Sequence, residues 1–308
     1  VKILLLGANG QLGRSFVDEG ELTARDELVV ASRDGVLTQG GRGEIADLSA
    51  PTTLTALLDR VQPEVIINTA AYTAVDRAEQ EQELANRVNG EAIGLLGRWA
   101  SSHAAKVIHY STDYVFDGHQ SQPYAVDAPK APLGAYGRSK LLGEELLRDS
   151  GADHLILRTA WVYAAHGQNF LRTMLRLGSD RDELRVVADQ HGTPTDTKLI
   201  VRASLAALDR WISTDGSRLG GTYHLVAGGS TTWHGFAEAI FEQAITLGLM
   251  KRRPTVIAIP SSDFPTPAIR PAWSLLDNRG FERRFHFMLP DWRNGLCDVM
   301  QKLAVSSH

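Results

Sequence analysis

The sequence predicts an α/β protein, a doubly wound parallel sheet with a smaller C-terminal substrate-binding lobe. Three observations lead there. Short apolar runs such as Lys2 to Leu6 read as strands buried on both faces, as in parallel sheets. They alternate with stretches of helical spacing in a β-α-β-α-β order. The first run also passes directly into a glycine-rich turn, Gly7-Ala-Asn-Gly10-Gln-Leu-Gly13, followed by a helical pattern in Leu12, Phe16 and Val17.

In such a strand–turn–helix unit the three glycines serve a tight turn, close backbone approach to a pyrophosphate, and close helix–strand packing. A pyrophosphate would meet the unpaired amides at the helix start. Gly7, Asn9, Gly10, Gln11, Leu12 and Gly13 are therefore candidate cofactor contacts of a Rossmann-like unit, with a purely structural turn as the alternative. Leu28 to Ala31 is the second strand and ends in Ser32-Arg33, where such a unit faces the adenosine ribose. A hydroxyl and a guanidinium there suit the 2′-phosphate of NADPH. Asp34 next door keeps NADH possible, and a solvated loop arginine is the plain alternative for Arg33. Val36 to Gly43 reads as a loop. Asp47 and Leu48 stand where an adenine would be held. Pro51 to Val61 is helical, and Val65 to Tyr72 is a further buried strand, whose Ala70, Ala71 and Tyr72 would lie against the cofactor.

Glu83 to Ser101 follows helical spacing. The strand Lys106 to Tyr110 then delivers Ser111, Thr112, Asp113 and Tyr114 to its C-terminal end, where ligands of open α/β sheets collect. Ser111 and Thr112 are expected to hydrogen-bond a substrate carbonyl, with strand-end capping as the alternative. After a proline-rich loop comes Tyr136-Gly-Arg-Ser-Lys140. Residues four apart on a helix share a face, about 6 Å apart. An ammonium one turn from a phenol favours the phenolate, and a pKa lowered by about 3 units would need roughly 4 kcal/mol. The spacing thus predicts that Lys140 lowers the Tyr136 pKa and readies it for proton transfer.

Leu155 to Arg158 is another strand, Phe170 onward a helix, Leu184 to Ala188 a strand, Leu199 to Ile212 a helix, Thr222 to Val226 a strand and Trp233 to Leu247 a helix. Residues 1–165 are expected to form mainly the dinucleotide-binding domain and 166–308 mainly the substrate lobe, with segments around 184–226 returning to the sheet. Arg270, in a proline-rich run, is a candidate for phosphate pairing, or else a surface arginine. The 308 residues carry 32 Lys and Arg against 36 Asp and Glu, a balance that disfavours a nucleic-acid partner. One cysteine, Cys297, fits a reducing compartment. No basic, apolar leader precedes the first strand and no run is long enough to span a bilayer, so the cytoplasm is expected, without a membrane partner. The ten histidines are scattered without metal-ligand spacing, so no metal is expected.

The pattern Gly-x-x-Gly-x-x-Gly, a Ser/Thr after a strand, and Tyr-x-x-x-Lys resembles the extended short-chain dehydrogenase/reductase family. Asn68 to Asp76, His109 to Phe116, Arg158 to Tyr163, Tyr223 to Gly229 and Pro265 to Pro271 look like the dTDP-4-dehydrorhamnose reductases, over almost the whole chain. The resemblance implies NAD(P)H-dependent reduction of dTDP-4-dehydro-β-L-rhamnose to dTDP-β-L-rhamnose, a precursor of surface polysaccharide. It implies Thr112, Tyr136 and Lys140 as the catalytic set, Lys140 also holding the nicotinamide ribose. It implies Trp161 and Asn169, beside Thr112, Asp113 and Tyr114, as contacts of the dTDP-sugar. Some members dimerise through a metal held by acidic side chains. Ser15 and Lys198 align with two of these, so a monomer or weak homodimer is expected. The same features would fit a nucleotide-sugar epimerase or dehydratase, or a non-catalytic nucleotide-binding regulatory subunit.

Overall fold

In a computed structural model, residues 1–19, 22, 27–213 and 219–306 are described. Seven parallel strands form the central sheet. In chain order they are β1 (Lys2–Leu6), β2 (Glu27–Ser32), β3 (Glu44–Ile45), β4 (Val65–Asn68), β5 (Lys106–Thr112), β6 (Asp153–Thr159) and β11 (Gly221–His224). Their spatial order is β11-β6-β5-β4-β1-β2-β3. The chain therefore winds outward from β1 through β2 and β3, then returns to β4 on the other side of β1. That reversal leaves a crevice beyond the carboxyl ends of β1 and β4.

The unbroken apolar runs follow from burial on both faces. Ile3 and Leu5 belong to one core with Ile67, Ile108 and Leu157, whereas Leu4 and Leu6 belong to the other with Ile66, Val107 and Ile156. Each such side chain removed from water contributes about 1.5–3 kcal/mol. The first core continues into the C-terminal half through Phe236, Phe241 and Trp292. The lobe is thus packed on one face of the sheet by a shared core.

Three short pairings complete the lobe: β7 (Val162–Tyr163) with β10 (Thr195–Asp196), β9 (His191–Gly192) with β12 (Thr231–Thr232), and β8 (Glu183–Val187) with β13 (Thr255–Ile259). Of the segments expected to return to the sheet, 221–224 does so beside β6, but 183–187 pairs with β13 instead. The helical pattern from Glu83 contains a π-helical turn at Arg87–Glu91 between helices Gln82–Asn86 and Ala92–Ser102. The predicted loop ends in the two-residue strand β3, which is too short to carry a periodic signal. Among the described residues no helix is long and apolar enough to cross a membrane.

Candidate active site

The Tyr136 helix (Ala135–Asp149) starts without a side-chain cap of its own, since Gly134 precedes it. Glu79 supplies the cap from a distant loop, its Oε1 accepting from the Ala135 amide at 2.7 Å. A carboxylate also suits the positive end of the helix dipole. The helix lies tight against the end of β5: a Cβ on Gly137 would sit 2.2 Å from the Tyr114 carbonyl oxygen. That contact brings Tyr136 to Thr112, Asp113 and Tyr114. The Tyr114 and Tyr136 rings meet edge to face at 5.5 Å.

Thr112 and Asp113 are buried. The Thr112 hydroxyl donates to Asp113 Oδ1 at 3.0 Å, and Thr112 Oγ1 accepts from the Tyr114 amide at 3.2 Å. Asp113 Oδ2 is buried with no hydrogen-bond partner. Burial pushes the Asp113 carboxyl up to about 6, against the pull of the Ser274 and Thr112 hydroxyls. Ser111 does not join this group. Alternate residues of a strand face opposite sides, and the Ser111 hydroxyl donates to Glu144 Oε1 at 2.6 Å. Arg158 grips the same carboxylate through Nε and Nη2 at 2.8 and 2.7 Å, and both residues are almost wholly buried.

The expected lowering of the Tyr136 pKa is not what the structure shows. Burial pushes the phenol up, the Asp113 charge adds to this, and only the neighbouring Thr112 hydroxyl pulls it down. Lys140 is turned elsewhere: its Nζ donates to the Tyr110 carbonyl at 2.6 Å and lies 3.4 Å from His109 Nε2. Lys140 is itself buried, which brings its pKa down to about 8.

The glycine-rich turn fits a dinucleotide. Gly7 has φ 83°, a left-handed conformation that favours glycine. A Cβ on Gly13 would lie 2.1 Å from the Gly7 carbonyl oxygen, so helix Gln11–Asp18 leaves β1 at closest approach. Asn9 and Gly10 are exposed at the rim. The Asn9 side chain ties this turn to the loop after β2, donating to the Val36 carbonyl at 2.7 Å and accepting from the Thr38 amide at 2.9 Å. Arg33 is exposed, whereas Ser32 is buried with its hydroxyl directed to Val36 O and Asp34. Asp47 accepts from the Ser49 amide and hydroxyl, and Leu48 is buried. Ala70 and Ala71 are half-buried at the crevice, the Ala70 backbone against Gly7. Tyr72 is held by Asn89, from the π-helical turn, whose side chain accepts from the Tyr72 amide and donates to the Tyr72 carbonyl and to Ser139. π-turns of this kind recur at functional sites.

On the substrate side, Trp161 has φ 49°, a strained conformation for a large side chain, and stacks on Trp233 at 3.6 Å. Trp233 was not singled out from the sequence; it reads there as one apolar position of a helix. Arg270 donates to Asp76 Oδ2 at 2.8 Å, and its Nη1 is buried with no partner. Asn169 stands at the start of a helix. Its Oδ1 caps helix Phe170–Asp180 by accepting from Arg172 N, and its Nδ2 donates to Gln11 Oε1 and to the carbonyls of Ala164 and His166. At the two positions aligned with metal-holding acidic residues of some family members, Ser15 donates to Thr197 Oγ1 at 2.7 Å and Lys198 pairs with Asp298 at 3.4 Å.

Residues 1–305 match the family model described as the RmlD substrate binding domain. The chain is 43% identical over 303 residues to a dTDP-4-dehydrorhamnose reductase of Burkholderia thailandensis, covering 96% of this chain and 98% of that one. It is 39% identical to the dTDP-4-dehydrorhamnose reductase of Escherichia coli strain K12, covering 100% and 99%. Among solved structures, a dTDP-4-dehydrorhamnose reductase of Bacillus anthracis in complex with NADP superposes with a TM-score of 0.84 at 30% identity, covering 97% of this chain and 98% of that one. A UDP-glucose 4-epimerase of Thermus thermophilus shares the fold, with a TM-score of 0.77 at 18% identity and full coverage of both chains. With a family model matched along nearly its whole length and relatives of this identity at both ends of the alignment, the chain belongs to the dTDP-4-dehydrorhamnose reductase family.

Proposed function

We propose that the protein reduces the 4-keto group of dTDP-4-dehydro-β-L-rhamnose to give dTDP-β-L-rhamnose, with NADPH as reductant, in the cytoplasm. The observation that supports this most directly is the meeting of Thr112, Tyr136 and Asp113 at the carboxyl end of β5, beside the crevice beyond β1 and β4. The names of the relatives supply the substrate, and the NADP-bound relative supports the cofactor. Bound NADPH supplies the hydride.

The chain's own residues do the rest. The turn Gly7–Gly13 would hold the pyrophosphate at the start of helix Gln11–Asp18, with Ala70, Ala71 and Tyr72 along the crevice and Lys140 at the nicotinamide ribose. Arg33 would meet the 2′-phosphate. Trp161 and Tyr114 would flank the sugar, and the free Nη1 of Arg270 would pair with the diphosphate. Thr112 would orient the carbonyl. Tyr136 then gives its proton to the oxygen that becomes the alcohol. A phenol kept neutral by burial is in the right state for this, because reduction needs a proton donor at the start of the cycle. The substrate lobe is taken to begin near residue 165.

The test follows NADPH absorbance with dTDP-4-dehydrorhamnose beside its UDP and GDP counterparts. The dTDP sugar is expected to be turned over fastest, and absence of NADPH consumption would overturn the reading. Tyr136→Phe is expected to lower the rate about 10²- to 10⁴-fold with NADPH affinity unchanged. Arg33→Ala is expected to raise the KM for NADPH more than that for NADH.

A further inference from the structure

His109 lies at the centre of β5, wholly buried, with one polar side-chain neighbour at each ring nitrogen. Nδ1 is 3.0 Å from Asn68 Nδ2, across the register pair that β4 and β5 form at these residues. Nε2 is 3.4 Å from Lys140 Nζ. The Asn68 amide is oriented from its other end, because the Ala70 backbone N–H donates to Asn68 Oδ1 at 3.1 Å. The nitrogen of that amide, a donor only, therefore faces His109. Nδ1 must accept, so it carries no proton. Burial holds the imidazole pKa well below its ordinary value. The neutral ring has one proton, and it sits on Nε2, toward Lys140.

We infer that His109 is a positioning residue: Asn68 fixes its Nε2–H tautomer, and the N–H so presented faces Lys140 and disfavours its ammonium relative to its amine form. An amine accepts from Nε2–H through its lone pair while donating to the Tyr110 carbonyl. An ammonium has no lone pair and would set N–H against N–H. The other groups around the lysine do not reverse this. Glu144, one turn along the helix, favours the ammonium, but its carboxylate is already bonded to Arg158, Arg148 and Ser111. Tyr136, at the preceding turn, is kept neutral by burial. The lysine thus exchanges its proton within about a unit of neutral pH rather than being a fixed cation. That consequence rests on the proposed catalytic role of Lys140; the tautomer does not.

Long-range proton–nitrogen correlation spectra of the ¹⁵N-histidine-labelled protein test it, with His109→Gln assigning the signal among the ten histidines. Nε2–H with a bare Nδ1 is expected; Nδ1–H or a doubly protonated ring would overturn the inference. A second readout is the pH profile of kcat/KM. His109→Leu removes the N–H facing Lys140 and is expected to raise the ionisation near 8 by about one pH unit, a tenfold change. His109→Gln keeps a donor there and is expected to leave it in place. No shift in the leucine variant, or equal shifts in both, would also overturn it. Full turnover in Tyr136→Phe alongside the expected tautomer would instead defeat the catalytic reading alone.

Discussion

The two sides of β5 each bury a carboxylate beside a hydroxyl, one residue apart in the chain, and the outcomes are opposite. On one side Ser111 and Glu144 meet Arg158. Burial works against ionisation of Glu144, but the Arg158 hydrogen bonds and charge, with Ser111, outweigh it and hold its carboxyl below the usual range. On the other side Thr112 and Asp113 meet no cation, one carboxyl oxygen is unpartnered, and burial raises the pKa to about 6. The first group is structural, anchoring the Tyr136 helix to β5 and β6. The second can change its proton content within the range where an enzyme works. Residue type is nearly the same on both sides; the presence of a guanidinium decides the role.

The largest test of that contrast is Glu144→Ala. It strands Arg158, 1% exposed, without its counter-charge, and a loss of about 3–5 kcal/mol in urea unfolding is expected. Next comes pH. Glu144 is more acidic in the folded state, so its contribution is present above the ordinary carboxylate range and is lost as pH falls through its lowered pKa. Asp113 slopes the other way. Its folded pKa is raised, so its contribution is fully present below 3.8 and is lost as pH rises through about 6. That difference corresponds to about 3 kcal/mol. Unfolding at pH 4 and pH 8 should therefore show Asp113→Asn gaining stability on the wild type as pH rises, by up to that amount.

The smaller tests separate the two hydroxyls. Thr112→Val is expected to lower kcat about 10²-fold, as for loss of one donor at a reacting oxygen, with little change in Tm. Ser111→Ala is expected to cost about 1.5 kcal/mol of stability, for one hydrogen bond to a charged group, and to leave kcat within a few-fold. Equal effects of the two on kcat would erase the functional distinction between the faces.

Much of this was legible in the chain where the physics is local. The strand β1 and the turn Gly7–Gly13 are contiguous, and each apolar or glycine position carries its own reason. The four-residue spacing of Tyr136 and Lys140 placed both on one helix, as found. What spacing did not reveal is where Lys140 directs its amine, because Tyr110 and His109 reach it from a strand 30 residues earlier. Ser111 and Thr112 looked equivalent until the strand's alternation was fixed by the core. Asn169 caps a helix through a residue three positions on, as asparagine before a helix commonly does.

By itself, then, the sequence determined the class of sheet, the order of its elements, the cofactor-type turn and the helix bearing Tyr136, since periodicity, glycine placement and short-range spacing act within a few residues. The charge states were decided only by tertiary structure. Glu79 caps a helix 56 residues away, Asn68 sets a histidine 41 residues away, and Asp76 holds an arginine 194 residues away. Desolvation and hydrogen-bond pairing depend on which distant groups close around an atom, and no local pattern encodes that.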